Sequence, residues 1–133
     1  MSHIAEGAFD VKLVPQPADP AGGESISRML LDKRFHGALD AVSKGQMLAM
    51  RTAVEGSAGY VAMEVVTGTL GGRQGSFVLQ HSGTMNRGAP ALILTVVPDS
   101  GTGELAGLSG SMAIQIAEGK HSYRFEYSLA KLH

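Results

Sequence analysis

Apolar and polar residues alternate along most of this chain, and helical periodicity is almost absent. A period of two buries one side of each strand and leaves the other to water, so the chain is committed to sheets sharing an inner face. Where the alternation breaks, the sequence turns to glycine, proline and small polar residues. Eight strands are predicted between these breaks: Ala8–Val14, Ile26–Phe35, Leu39–Arg51, Tyr60–Leu70, Gly75–Met85, Ala91–Val97, Ser109–Ala117 and His121–Leu129. "PQPADPAGGES" reads as a loop, and "PDSGTGELAG" allows one helical turn around Glu104–Leu108 at most.

Two hairpins set the register. The "AEGK" turn pairs Ile114 with Tyr123 and Met112 with Phe125. The "LGGRQG" turn, closed by an even number of residues, is expected to pair Val66 with Leu79 and Gly68 with Phe77, which sets Glu64 opposite His81. With the remaining strands assigned by the same parity, Phe9, Phe35, Tyr60, Phe77, Tyr123, Phe125 and Tyr127 all fall on one side. Eight strands, one interior and no covering helix predict an all-β closed antiparallel barrel forming a single domain over residues 1–133, with a two-sheet sandwich as the alternative. A barrel of this size is filled by its side chains or holds one small ligand. Small inward residues such as Ala41, Ser43, Gly45 and Gly83 favour a cavity.

Composition narrows the function classes. At 133 residues the chain can bury roughly two-thirds of its unfolded surface. A net charge of −1 without a basic patch argues against nucleic acid as a partner. No apolar run approaches a membrane span, and "MSHIAEG" is not a signal peptide, so no membrane partner is expected. The absence of cysteine removes disulfides and thiolate chemistry and fits the cytoplasm. The histidines do not converge in parity, so neither a metal nor another cofactor is assigned, and His133 receives no role. The glycines of "SGTGELAGLSG" lack the Gly-Lys-Ser/Thr ending of a phosphate loop. On the outer face, Leu48, Met50, Val61, Met63 and Val65 form an apolar band, from which a homo-oligomer is expected.

Three ionisable side chains point inward: Lys33, Glu64 and His81. Burying a charge is costly unless it is paired, so these residues are expected to meet. One reading is a structural pair that fixes register. The other is a catalytic acid/base pair of Glu64 and His81, with Lys33 supplying positive charge to an oxyanion or an anionic substrate. Lys33 escapes the interior if its strand is bulged. Tyr60, Phe77, Tyr123, Phe125, Tyr127, Phe35 and Ser43 are the candidate ligand contacts, and for each tyrosine a core position with its hydroxyl at the barrel mouth is the simpler reading.

"LDKRFHG", "GSAGYVAMEVVTGTLGGRQGSFVLQHSGTMNRG", "VVPDSGTGELAGLSGSM" and "FEYSL" resemble a bacterial family known only as a domain of unknown function, from about Gly7 to Leu129. The resemblance implies an eight-stranded barrel similar to allene oxide cyclase. It also implies a small-molecule role, such as isomerisation or cyclisation, in or beside the lumen. It supplies no catalytic residues. The lumenal glutamate of the cyclase first strand has no counterpart, since Glu6 precedes the predicted strand and Asp10 faces outward. The expected function is thus a small-molecule-binding barrel, possessing or lacking an acid/base-assisted isomerase, cyclase or lyase activity; a filled structural module is the alternative.

Overall fold

The computed structural model describes residues 2–130. Eight antiparallel strands close into one barrel in sequence order, with β1 returning to β8. They are β1 (Ser2–Pro15), β2 (Ser27–Phe35), β3 (Leu39–Arg51), β4 (Ala58–Leu70), β5 (Arg73–Asn86), β6 (Ala89–Val96), β7 (Leu108–Ala117) and β8 (Lys120–Leu129). Two single 3-10 turns, Pro20–Gly22 and Gly103–Leu105, are the helical elements among the described residues. β1 starts well before the sequence suggests, because Ser2–Phe9 pairs with His121–Ser128 to close the barrel. Glu6 therefore lies within β1 rather than before it, on the outer face opposite Arg124.

The β7–β8 register is as expected, with Ile114 opposite Tyr123 and Met112 opposite Phe125. The β4–β5 register is displaced by two residues. Val66 pairs with Phe77, Glu64 with Leu79 and Ala62 with His81. Gly71 and Gly72 form the tightest possible loop, both at positive φ, so pairing begins at Leu70 opposite Arg73. A slip of two preserves the faces, and Glu64 and His81 become diagonal neighbours inside the barrel.

The two ends of the barrel differ. At one end Leu39, Leu70, Leu105 and Leu108 are buried, and Phe77 stacks on Phe125 with ring centroids 5.6 Å apart. The glycine-rich segment after β6 closes this end. Ser100 Oγ accepts from Val78 N (3.0 Å), Thr102 Oγ1 from Ser76 N (3.1 Å) and Glu104 Oε1 from Gln74 N (3.0 Å), covering the β5 edge beyond β6. At the other end β6 exposes Leu92 and Ile93. The registered pair that joins β6 to β7 among the described residues, Thr95 with Ser111, lies toward the closed end, which leaves the seam loose near the mouth. Ile116, on the inward parity of β7, is consequently exposed near that end of the seam.

Candidate functional site

Lys33 on β2, Glu64 on β4 and His81 on β5 meet inside the barrel. Lys33 Nζ lies 2.8 Å and His81 Nε2 3.2 Å from the same oxygen, Glu64 Oε2. All three residues are buried, with 5 %, 1 % and 4 % of their surface exposed respectively. The distances are those of hydrogen bonds, but the angles are not those of well-directed ones. The cluster is held by charge at close range. Glu64 Oε1 and Ser43 Oγ are buried with no hydrogen-bond partner among the described residues. An unpaired buried acceptor of this kind costs about 1–3 kcal/mol. Lys33 Nζ also lies 5.3 Å from the Phe9 ring centre and 5.8 Å from that of Phe35, which offsets part of its lost hydration.

Two opposing effects set the ionisation of Glu64. Burial pushes its pKa up; the His81 side chain and the positive charge of Lys33 outweigh burial and leave it below the ordinary carboxylate value. Glu64 is therefore a carboxylate at neutral pH. Tyr60 moves the other way: burial, then the Glu64 charge, push its phenol up and keep it protonated.

A cavity of about 710 Å³ opens at the end of the barrel opposite the closed one. Leu13, Met29, Met47, Met85, Leu92 and Tyr60 supply much of its largely apolar wall, and Arg51 is its charged rim residue. The charged cluster does not line this cavity. His81 lies two residues from Gly83, and Glu64 four from Tyr60; both Gly83 and Tyr60 do line it. The Tyr60 ring stands 6.4 Å from that of His81 and lies across Gly83, its cross-strand partner, where a Cβ would overlap Tyr60 Cε1. The ring thus separates the open mouth from the buried charges.

The tyrosines divide sharply. Tyr123 OH donates to His36 O (2.7 Å) and accepts from Leu39 N (3.0 Å), tying β8 to the β2–β3 turn. Tyr60 OH has no hydrogen bond among the described residues. Of the residues expected to meet a ligand, Tyr60 lines this cavity, whereas Phe35, Phe77, Tyr123 and Phe125 form the core of the closed half. Tyr127 stacks on Phe125 at 5.3 Å, and Ser43 is buried in the strand pair opposite Lys33. The cavity methionines escaped notice as site residues, although Met29 and Met47 have inward parity at strand ends. Met50, assigned to the outer band, is exposed on the same parity as Leu48 and also borders the rim of the cavity. No three metal-ligating side chains cluster among the described residues. Nor is any described helix long and apolar enough to cross a membrane.

No curated protein matches the chain. A crystal structure of a protein with unknown function from the DUF3224 family of Shewanella oneidensis MR-1 is similar over 99 % of this chain and 100 % of that one. The two share 52 % identity and superpose with a TM-score of 0.92. Residues 5–127 match the family described as "Protein of unknown function (DUF3224)", and the chain belongs to that family.

Proposed function

We propose that this barrel binds a small, partly apolar molecule in its open mouth, with Lys33, Glu64 and His81 as the polar base of the site. The observation that carries this reading is the apolar cavity of about 710 Å³ whose lining residue Tyr60 stands 6.4 Å from His81, a member of a buried ion cluster with an unsatisfied carboxylate oxygen. Cavities that hold small molecules have this size and this mixture of apolar wall and few polar groups. We read the barrel as akin to the allene oxide cyclases, a likeness taken from the sequence alone, and a role in guiding a reactive molecule in or beside the lumen would agree with it. Glu64 would accept a proton and His81 relay it, with Lys33 stabilising the resulting charge, in an isomerisation, cyclisation or lyase step. The burial of all three beneath Tyr60 favours a second reading, a binding protein without turnover, in which the cluster only orients the ligand. The cysteine-free sequence suits the cytoplasm. The exposed band of Leu48, Val61, Met63 and Val65 suits a homo-oligomer.

Native mass spectrometry of the purified protein tests the binding claim. A small molecule retained by the wild type and weakened or lost in Met47→Trp, whose indole intrudes on the cavity, is the expected result. Equal retention by both proteins would move the molecule elsewhere. Turnover that follows Glu64 and His81 would separate the enzyme from the binding protein.

A further inference from the structure

We infer that the ligand of this site is an uncharged molecule with an apolar body and a terminal hydrogen-bond donor, of the alcohol or phenol class, whose hydroxyl reaches Glu64 Oε1. The inference rests on reading the mouth cavity as a ligand site, and four observations narrow the class.

The charge at the base is already matched. Lys33 Nζ and Glu64 Oε2 are 2.8 Å apart, and His81 Nε2 shares that oxygen at 3.2 Å. Glu64 Oε2, His81 Nε2, Glu64 Oε1 and Ser43 Oγ all lack a well-directed hydrogen bond among the described residues, but Oε2 and Nε2 are held in the close charge contacts just given. That leaves Glu64 Oε1, which as a carboxylate oxygen can only accept, and Ser43 Oγ, which can do either. A group that meets Glu64 Oε1 must therefore donate. An acid would bring a second carboxylate against Glu64 with Lys33 already engaged, a like-charge encounter at a buried position where solvent screens little. An ammonium would pass Arg51 at the rim and then add a second cation beside Lys33. A neutral donor meets neither objection.

The wall fixes the rest of the molecule. Methionine and leucine side chains dominate it, and methionines adapt to an irregular apolar body. Access to the base requires the Tyr60 ring to swing away from His81. Among the described residues Tyr60 has no hydrogen bond to hold it, in contrast to Tyr123. Because Gly83 carries no side chain, the ring has room to lie across the β5 backbone in the closed position.

Four probes of one shape isolate the terminal group: naphthol, its methyl ether, naphthoate and naphthylmethylammonium, substituted at the same ring position. The protein contains no tryptophan, so naphthol fluorescence reports its binding without overlap, and the others are read by displacement. Near neutral pH, naphthol is expected to bind about tenfold or more tightly than each of the other three, the ratio that a donor to a charged acceptor provides. In Glu64→Gln the advantage over the methyl ether should shrink to a small factor, while Ser43→Ala leaves most of it. If Glu64→Gln fails to fold, the wild-type ranking still decides. Equal binding of the ether, or tighter binding of the acid or the amine, overturns the ligand class and leaves the cavity reading standing. Failure of all four to bind overturns the cavity reading together with this inference.

Discussion

Glu64 is the residue on which the interior depends. Its carboxylate pairs with Lys33 where neither can reach bulk water, so Glu64→Gln leaves a buried ammonium with no counter-charge. Removing one partner of such a pair is expected to cost about 3–5 kcal/mol in a urea unfolding experiment. Lys33→Met combined with Glu64→Leu should be more stable than either single variant, because no buried charge is then unpaired. A double variant less stable than both would contradict this electrostatic account. The pH dependence has a definite sign. The folded pKa of Glu64 is below its ordinary value of 4.5, so the stabilisation it gives is fully present above that pH and is lost as pH falls through the lowered value. Wild type and Glu64→Gln should therefore converge in stability on acidification below the ordinary carboxylate range. A gap that stays constant there would contradict the pairing. At this scale much was legible: inward parity alone brings Lys33, Glu64 and His81 into one lumen. What parity cannot show is that Lys33 and His81 share one oxygen, which depends on how long side chains cross the barrel.

At the scale of strands, the contact between β4 and β5 carries the site. The Tyr60 ring occupies the space above Gly83, so Gly83→Ala must displace it, at a cost of about 1–3 kcal/mol. In a Tyr60→Ala background the same substitution should cost much less, and an unchanged cost in that background would refute the contact. Gly45→Ala is expected to be worse than Gly83→Ala. Its Cβ would run into the backbone of Met63 and Glu64, which cannot swing aside as a ring can. Strand order and faces followed from alternation, but the β4–β5 register did not. Pairings two residues apart bury the same faces, and only the tightness of the Gly71–Gly72 loop decides between them. The early start of β1 was equally hidden, because Ser2–Ala5 is ordered by pairing with β8 and shows little alternation of its own.

On the scale of the whole molecule, the barrel is asymmetric: closed by leucines and the glycine-rich segment at one end, open through a methionine-lined mouth at the other. The sequence suggested a cavity but not its location, since closure depends on where Leu105 packs after a turn without periodicity. The outer band is open in the same sense. Leu48, Val61, Met63, Val65 and Ile93 are 45 %, 53 %, 50 %, 51 % and 66 % exposed, more apolar surface on neighbouring strands than a lone barrel needs. Light scattering at micromolar concentration should find an oligomer that Met63→Lys shifts towards monomer; a wild-type monomer would remove the interface. Methionine side chains mark both surfaces, which allows one experiment to test the central claim. With the methionine methyl groups isotope-labelled, the NMR spectrum is recorded as naphthol is added. Binding in the mouth predicts that the signals of Met29, Met47, Met50 and Met85 move while Met63 on the outer wall stays. Movement of Met63 alone, or of no methionine, would contradict a ligand site in this barrel.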